Sequence, residues 1–224
     1  MNRKKSSCLW HAIRFIILLS YHTKEVDSSM AKKDARNTKG RIVDAAWALF
    51  YEQGYDETTI DDIVERSETS KGSFYHYFDS KDALLSSLSY LFDAKYEQLM
   101  EEIDPEMDSF DKLMYLNHEL FLMIENSIPM DLLARMYSSQ LVTFGERHLL
   151  NQGRTYYRVL RKIVIEGQKR GQLRSDVSVN EIVKAYAMCE RAMIYDWCIC
   201  NGDYSLYQYS GTTLPMFLQS YRCG

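Results

Sequence analysis

The sequence predicts an all-α protein with a small N-terminal domain and a larger C-terminal domain. Only 3 prolines and 10 glycines interrupt its 224 residues, which also include 11 methionines and many leucines, isoleucines and alanines. Apolar residues recur at helical spacing through most of the chain, as expected for helices that each bury one face. A chain of this length can bury a substantial core and has room for two domains.

The first thirty residues are set apart from these domains. Arg3-Lys4-Lys5 ahead of an apolar run from Phe15 to Leu19 outlines a secretion signal. That run is too short to span a bilayer, and no small-residue cleavage site follows it. Because Met30 is a more natural start, we interpret residues 1–30 as a non-native or disordered extension, with a targeting segment as the alternative.

The small domain is predicted over residues 31–82. Its first helix should run from about Thr38 to Gln53, where Gly54 ends it. The apolar stripe of this helix consists of Ile42, Ala45, Ala46, Leu49 and Phe50. Such a stripe needs other helices to cover it, so the residues that follow should pack against it.

Residues 58–78 predict two short helices joined by a tight turn. A hydroxyl of Thr58 or Thr59 can cap the first helix, whose apolar residues share one face. The run Ser67-Glu68-Thr69 interrupts that pattern, and Ser70 is placed to cap a second helix that begins at Lys71. Two helices of this size with so short a turn form a helix-turn-helix, whose second helix enters the major groove of DNA.

The second helix should present a polar face to solvent and an aromatic face to the core. The residues expected to face solvent are Lys71, Gly72, Ser73, Tyr75 and His76. The residues expected to face inward are Phe74, Tyr77 and Phe78. The formal net charge of −4 does not itself indicate nucleic acid. However, cationic residues concentrate just before the first helix and around the second, and DNA binding needs a basic face rather than a basic protein.

The run from Ser70 to Phe78, followed by Ser80-Lys81, resembles the recognition-helix signature of the tetracycline-repressor (TetR) family of one-component transcriptional regulators. The resemblance extends over about Thr38 to Leu88. It departs in the turn, where many members have Ala-Gly-Val and this chain has Ser67-Glu68-Thr69. Glu68 does not have the free access to positive φ that glycine has, so the turn is where this chain departs from the family pattern.

The resemblance implies a role in DNA binding for residues of this segment. Lys71 and Ser73 should lie nearest the base edges, and Gly72 should let the helix backbone approach the duplex. Ser70 is expected to combine capping with a phosphate hydrogen bond. The remaining phosphate contacts are expected from Thr59, Tyr75, His76 and Lys81.

The larger domain is predicted over residues 83–224. Its helices should cover about 80–102, 109–125, 129–144, 146–170, 182–197 and 211–221. The resemblance implies that it binds a small-molecule effector of unknown identity and forms a homodimer through its last two helices. Two recognition helices about 34–36 Å apart would then bind a palindromic double-stranded operator.

Aromatic and methionine side chains are the candidates for lining the effector pocket, because they form adaptable apolar cavities. These candidates are Phe92, Tyr96, Met114, Phe121, Met136, Tyr137, Tyr156, Tyr157 and Trp197. Most residues of this kind are ordinary core, so the set is a first selection. The expected function is a cytoplasmic, ligand-responsive regulator, in most of this family a repressor released from its operator by an effector.

Other functions have weaker support in the sequence. No nucleotide-binding, metalloprotease or esterase motif indicates an enzyme or a cofactor, and the cysteines lack the spacing of a zinc site. Cys198 and Cys200 leave a thiol-based redox sensor as a minor alternative. A helical scaffold with a degenerate helix-turn-helix is the second alternative, and only Glu68 motivates it.

Overall fold

The computed structural model describes residues 30–142 and 147–223, and side chains from residue 38 onward within those ranges. The interpretation of residues 1–30 as an extension therefore lies almost wholly outside the described residues. The α-helices are α1 (Met30–Glu52), α2 (Ile60–Arg66), α3 (Lys71–Tyr77), α4 (Leu88–Glu102), α5 (Ser109–Ser127), α6 (Met130–Val142), α7 (Thr155–Lys169), α8 (Val179–Ile199) and α9 (Leu206–Leu218). Short 3₁₀ helices cover Asp82–Ser87, His148–Leu150 and Gln219–Tyr221.

The predicted all-α class is confirmed. Within the described residues the backbone forms no strand, and an isolated antiparallel bridge joins Leu173 to Arg222. No helix in the described part of the chain is long and apolar enough to cross a membrane.

The chain divides into two compact units between Leu91 and Phe92. In the first unit, α2 and α3 pack on α1, whose Ile42, Ala46 and Trp47 are buried. The Trp47 indole Nε1 donates a 2.7 Å hydrogen bond to Ser87 Oγ, which fixes the 3₁₀ helix on the same core. The sequence had placed the domain boundary earlier, after residue 82.

The second unit is a bundle of the remaining helices. In it, α5 packs against α9 and α7, while α8 packs against α6, α7 and α9. Its core includes Phe121, Leu160, Ile163, Tyr186 and Leu214, all buried. The helices of this unit therefore share one interior, in which the cavity described below lies.

In the second unit, the predicted starts of two helices were wrong. The helix expected from 146 begins at Thr155, because Asn151 Oδ1 accepts a hydrogen bond from Gly153 N at 2.8 Å and holds a turn there. The last helix begins at Leu206 instead of Gly211, because the Glu125 carboxylate accepts from the Tyr207 amide at 3.3 Å at its start.

The helix expected over 80–102 is interrupted. Residues 82–87 form the 3₁₀ helix and the α-helix begins at Leu88. The hydroxyls of Ser86, Ser87 and Ser89 each donate to the carbonyl three residues earlier, at 2.5–2.6 Å. Such local hydrogen bonds compete with α-helical geometry, which explains the tighter turn.

Candidate nucleic-acid interface and internal cavity

The first helix of the helix-turn-helix is held by a capping box. Thr59 Oγ1 accepts from Asp62 N at 3.1 Å, and Asp62 Oδ2 accepts from Thr59 N at 2.8 Å. These hydrogen bonds lower the pKa of the Asp62 carboxyl. The predicted threonine cap is confirmed, and it belongs to Thr59, since the buried Thr58 hydroxyl donates to Gly54 O at 2.7 Å.

The second helix begins with the predicted serine cap. Ser70 Oγ accepts from Ser73 N at 3.0 Å and lies 2.9 Å from Ser73 Oγ. Both hydroxyls are thus at the N-terminal end of α3, where free backbone amides favour an anionic partner.

The outer face of α3 is open. Phe74 and Phe78 are buried and Tyr77 is half-buried, whereas Lys71, Gly72, Tyr75 and His76 are exposed and Ser73 is half-buried. At Gly72 a Cβ atom would approach only Ser70 Oγ, at 3.7 Å, so internal packing does not require glycine there. The missing side chain instead leaves the outer surface of the helix flat.

The turn between α2 and α3 contains a left-handed residue. Glu68 has φ of 52°, the conformation that glycine adopts most readily. Arg41 Nη2 donates to Glu68 O at 2.8 Å, and Thr69 N donates to Val64 O at 3.0 Å. The turn therefore closes with glutamate at the glycine position, which removes the only feature that motivated a degenerate motif.

The two lysines of this segment have different environments. Lys71 Nζ lies 2.7 Å from Asp61 Oδ1 in an exposed ion pair, and this carboxylate raises the pKa of Lys71. Lys81 Nζ instead donates to Tyr55 O at 2.6 Å and Thr58 O at 2.7 Å. Lys81 thus joins the loop before α2 to the chain after α3, while the Lys71 side chain stays at the surface.

A cavity of about 40 Å³ lies inside the second unit. Its lining consists of Phe92, Tyr96, Leu120, Ile124, Tyr137, Leu149, Arg154, Tyr156, Glu190, Arg191 and Ile194. A space of this size holds only a few water molecules. A larger ligand would enter only if the lining side chains moved apart.

Glu190 is the buried acid of this cavity. Its carboxylate accepts from Tyr156 Oη at 2.7 Å, from Asn117 Nδ2 at 2.9 Å and from Tyr96 Oη at 3.2 Å. Burial raises the pKa of Glu190, and these hydrogen bonds oppose that rise. The phenol pKa values of Tyr96, Tyr156 and Tyr186 are also raised, first by burial and then by the charge of Glu190, so these phenols stay protonated.

The arginines of the cavity have other partners. Arg154 Nη2 lies 3.0 Å from Asp93 Oδ1, and its Nε lies 3.2 Å from Asp93 Oδ2, in a largely buried ion pair. Arg191 Nη1 donates to Tyr157 Oη at 3.4 Å.

Comparison with known proteins places these features in a family. The family model for "Bacterial regulatory proteins, tetR family" matches residues 42–88, which include the whole helix-turn-helix. The transcriptional regulator QacR of Staphylococcus aureus is 25% identical over 65% of this chain and 77% of its own. The S. aureus negative regulator of the icaADBC biofilm operon, IcaR, is 36% identical over 39% of this chain and 47% of its own.

A solved structure shares the fold over most of the chain. FadR of Thermus thermophilus, a TetR-family repressor in complex with lauroyl-CoA, aligns with a TM-score of 0.69 at 23% identity, over 80% of this chain and 92% of its own. Residues 42–88 form a TetR-family helix-turn-helix domain. The chain is a DNA-binding transcriptional regulator with an N-terminal helix-turn-helix domain and a C-terminal helical domain.

The cavity in the second unit includes part of the set selected from sequence. Phe92, Tyr96, Tyr137 and Tyr156 line it, whereas Met114, Phe121, Met136, Tyr157 and Trp197 do not. Phe121 and Met136 are buried in the core, and Trp197 Nε1 donates to Tyr204 O at 2.9 Å near the end of α8.

Sequence reasoning did not select the polar residues of the cavity, Glu190, Arg154 and Arg191. The available signal was the position of Glu190, which falls on the buried stripe of α8 between Tyr186 and Met193. An acid on an apolar helical face is expected to be paired or functional.

Proposed function

We propose that this regulator is a homodimeric repressor that leaves a palindromic operator when a small molecule occupies its cavity. One observation carries the DNA-binding part of this proposal. Helix α3 is capped at its N-terminus, is anchored by buried Phe74 and Phe78, and presents Lys71, Tyr75 and His76 to solvent. A short anchored helix with a polar outer face suits the major groove.

The contacts proposed on DNA fall into two groups. Lys71 and Ser73 are nearest the N-terminus of α3 and would reach base edges, with Gly72 allowing close approach. Phosphates would be contacted by the remaining candidates, which are Thr59, Ser70, Tyr75, His76 and Lys81. The Lys81 ammonium group donates to the carbonyls of Tyr55 and Thr58 in the free protein. It would contact phosphate either while keeping these hydrogen bonds or after exchanging them for the phosphate.

Apolar side chains on α8 and α9 support the dimer. These helices pack against each other, yet each leaves large apolar residues exposed. Those residues are Met188, Tyr195 and Ile199 on α8 and Tyr209, Met216 and Phe217 on α9. Exposed apolar patches of this kind mark protein interfaces, and a two-fold dimer covers the same patch on both copies.

The cavity supports the effector part. It combines aromatic walls with a few polar groups, which is the usual composition of a small-molecule site. Related proteins point the same way, since the T. thermophilus repressor was solved with lauroyl-CoA and another neighbour, RolR, with resorcinol. Ligand and operator would then be linked by a coupling free energy, so that each weakens binding of the other.

A mobility-shift assay on DNA flanking the gene for this protein tests the proposal. We expect a complex that resists competitor DNA and whose affinity falls steeply with salt, because each phosphate contact releases counterions. Loss of preference for any genomic fragment over competitor DNA would contradict repression at a specific operator. The site of action expected for such a protein is the cytoplasm.

A further inference from the structure

A surface cleft of about 410 Å³ lies in the second unit, apart from the cavity around Glu190. Its lining comes from the C-terminal end of α4, the loop after it, α5 and α7. The cleft and the cavity have no lining residue in common. A space of several hundred Å³ can hold a small organic molecule. The cleft is therefore large enough to be a binding site of its own.

Lys112, on α5, brings a buried positive charge to this cleft. Its side chain is only 4% exposed. The Lys112 Nζ donates to Pro105 O at 2.6 Å and to Glu166 Oε1 at 2.8 Å. An ammonium group has three donors, and the described residues supply partners for two of them. The third donor is left for a group that enters the cleft.

The side of the cleft formed by α7 adds further charges. Lys162, Glu166 and Arg170 follow one another at intervals of four residues, so they form a row about 12 Å long. Lys112 above all, and also Arg170, lowers the pKa of the Glu166 carboxyl, so this group stays charged and compensates a cation. Lys162 is exposed and has no carboxylate partner among residues 30–142 and 147–223. With Glu106, the lining holds three cations and two carboxylates, which leaves one positive charge in excess.

Another part of the lining is apolar and belongs to a loop that is held in place. Met100, Ile103 and Pro105 supply the apolar surface. Arg170 Nη2 donates to Glu106 O at 3.1 Å, and Lys112 holds the carbonyl of Pro105, so the loop between α4 and α5 is fixed at two points. A site that is already formed loses less entropy when a ligand binds.

We propose that this cleft is a second small-molecule site, specific for a carboxylate on an apolar body. The carboxylate accepts hydrogen bonds from the ammonium groups of Lys112 and Lys162, and the apolar body lies on Met100 and Ile103. A single positive charge in excess suits a monoanion, and hydrogen bonds between charged groups are stronger than those between neutral groups. This site is additional to the proposed effector cavity, and its occupancy does not depend on the proposed function.

Three probes separate the effects of charge, shape and apolar contact. Benzoate is an anion, benzamide is a neutral molecule of nearly the same shape, and acetate is a carboxylate without the ring. Binding of each to the full chain is measured without DNA, from the shift in unfolding temperature across a concentration series. We expect benzoate to bind at least about tenfold more tightly than either benzamide or acetate.

The Lys162→Gln variant should lose the preference for benzoate over benzamide, and its exposed position leaves the fold intact. Lys169→Gln is the matched control, because Lys169 is an exposed lysine on the same helix but outside the cleft lining. It should keep the wild-type preference. Crystals soaked in 4-bromobenzoate give a second measurement, in which the anomalous scattering of bromine should locate the probe in the cleft.

Equal binding of benzoate and benzamide by the wild type would overturn the proposal. So would a Lys162→Gln protein that keeps the preference, or a bromine signal that is absent from the cleft or lies in the cavity around Glu190. Tighter binding of inorganic phosphate than of benzoate would also overturn it, because the cleft would then select a different class of anion. The mobility shift of the wild-type protein without any probe tests the proposed function separately, so the two failures are distinguishable.

Discussion

Lys71 is paired with Asp61 in the free protein, so DNA must compete for its charge. The pair is exposed and its 2.7 Å contact is screened by solvent, which makes it easy to exchange for a base or phosphate. Asp61 also places a negative charge beside the surface that would face the duplex. The ion pair thus weakens binding to DNA of any sequence. The free-energy cost of breaking it is small at a site where Lys71 makes a close contact with a base or phosphate.

Substitutions of this pair should have opposite effects. Lys71→Ala should weaken operator binding by about 5- to 150-fold if Lys71 reads a guanine. Asp61→Asn should strengthen binding to unrelated DNA by more than it strengthens operator binding, so the ratio of the two affinities falls. Both are measured by mobility shift with operator and scrambled duplexes.

Lys169→Ala, at the exposed end of α7, is the control for loss of one positive charge and should bind as the wild type does. An Asp61→Asn protein that keeps the wild-type affinity ratio would show that the ion pair has no part in discrimination.

Glu68 stores strain in the turn. A non-glycine residue in the left-handed region costs about 1–3 kcal/mol. Replacement by glycine removes this cost, but part of the gain in stability is lost because glycine has more conformational freedom in the unfolded chain. We therefore expect Glu68→Gly to raise the free energy of unfolding by about 0.5–1 kcal/mol, measured by denaturant unfolding. The Arg41 contact is to the Glu68 carbonyl and would survive the change.

Asn201, at φ of 50°, gives the matched comparison. Asparagine tolerates this conformation better than glutamate, so Asn201→Gly should raise the free energy of unfolding by less than Glu68→Gly does. An equal or larger gain at Asn201 would mean that the side chain of Glu68 adds no strain to the turn.

At the scale of the helices, Glu190 links separate elements of the second unit. Its donors come from α4 (Tyr96), α5 (Asn117) and α7 (Tyr156), while Tyr186 lies one turn earlier on its own helix α8. These hydrogen bonds fix the positions of the donor groups around the Glu190 carboxylate. It also costs stability, because burial raises the pKa of the Glu190 carboxyl above its ordinary value of 4.5.

This pKa shift gives a signed dependence of stability on pH. Between 4.5, the value in the unfolded chain, and the higher folded value, the folded protein holds a proton that the unfolded chain has lost. The contribution of Glu190 to the free energy of unfolding therefore falls as pH rises through that window and is constant above it. The other charged or titratable groups around it include Asp93, Arg154, Arg191, the thiol of Cys189 and the phenols of Tyr96, Tyr137, Tyr156 and Tyr186.

Glu190→Gln removes the titration while keeping the shape. Its stability relative to wild type should rise with pH from about 4.5 upward and then level off, as followed by urea unfolding at several pH values. A difference that is flat over this range would mean that Glu190 has the same pKa in the folded and unfolded chains. Glu125→Gln, outside the cavity lining, is the control variant for the loss of one carboxylate.

The helix-turn-helix was predictable because its signals are local. Thr59 and Ser70 cap helices that begin one residue later, and the spacing of Phe74 and Phe78 fixes which side of α3 is buried. The cavity was not predictable in the same way. Whether Tyr137 faces a void and Met136 the core depends on how several helices cross. Nor does any local pattern show that Glu190 is surrounded by phenols from distant parts of the chain.

At the scale of the whole molecule, the proposed dimer depends on the uncovered apolar face of α8 and α9. Met216 is 78% exposed and Phe217 is 61% exposed, although both lie in α9 close to the buried Leu214. A monomer gains nothing from such residues on its surface, whereas a second copy would bury them at roughly 25 cal/mol for each Å² of apolar surface. Two recognition helices are useful only when held together, so DNA affinity should depend on this face.

Charge introduced on this face should separate the subunits. We expect Met216→Glu and Phe217→Glu to convert the protein to a monomer in sedimentation equilibrium and to weaken operator binding at least about tenfold, because one half-site is then lost from each complex. Leu141→Glu is the control, since Leu141 is similarly exposed, at 71%, but lies on α6. It should remain dimeric and bind DNA normally. A wild-type protein that sediments as a monomer, or a Met216→Glu dimer with full operator affinity, would show that the repressor does not assemble through its last two helices.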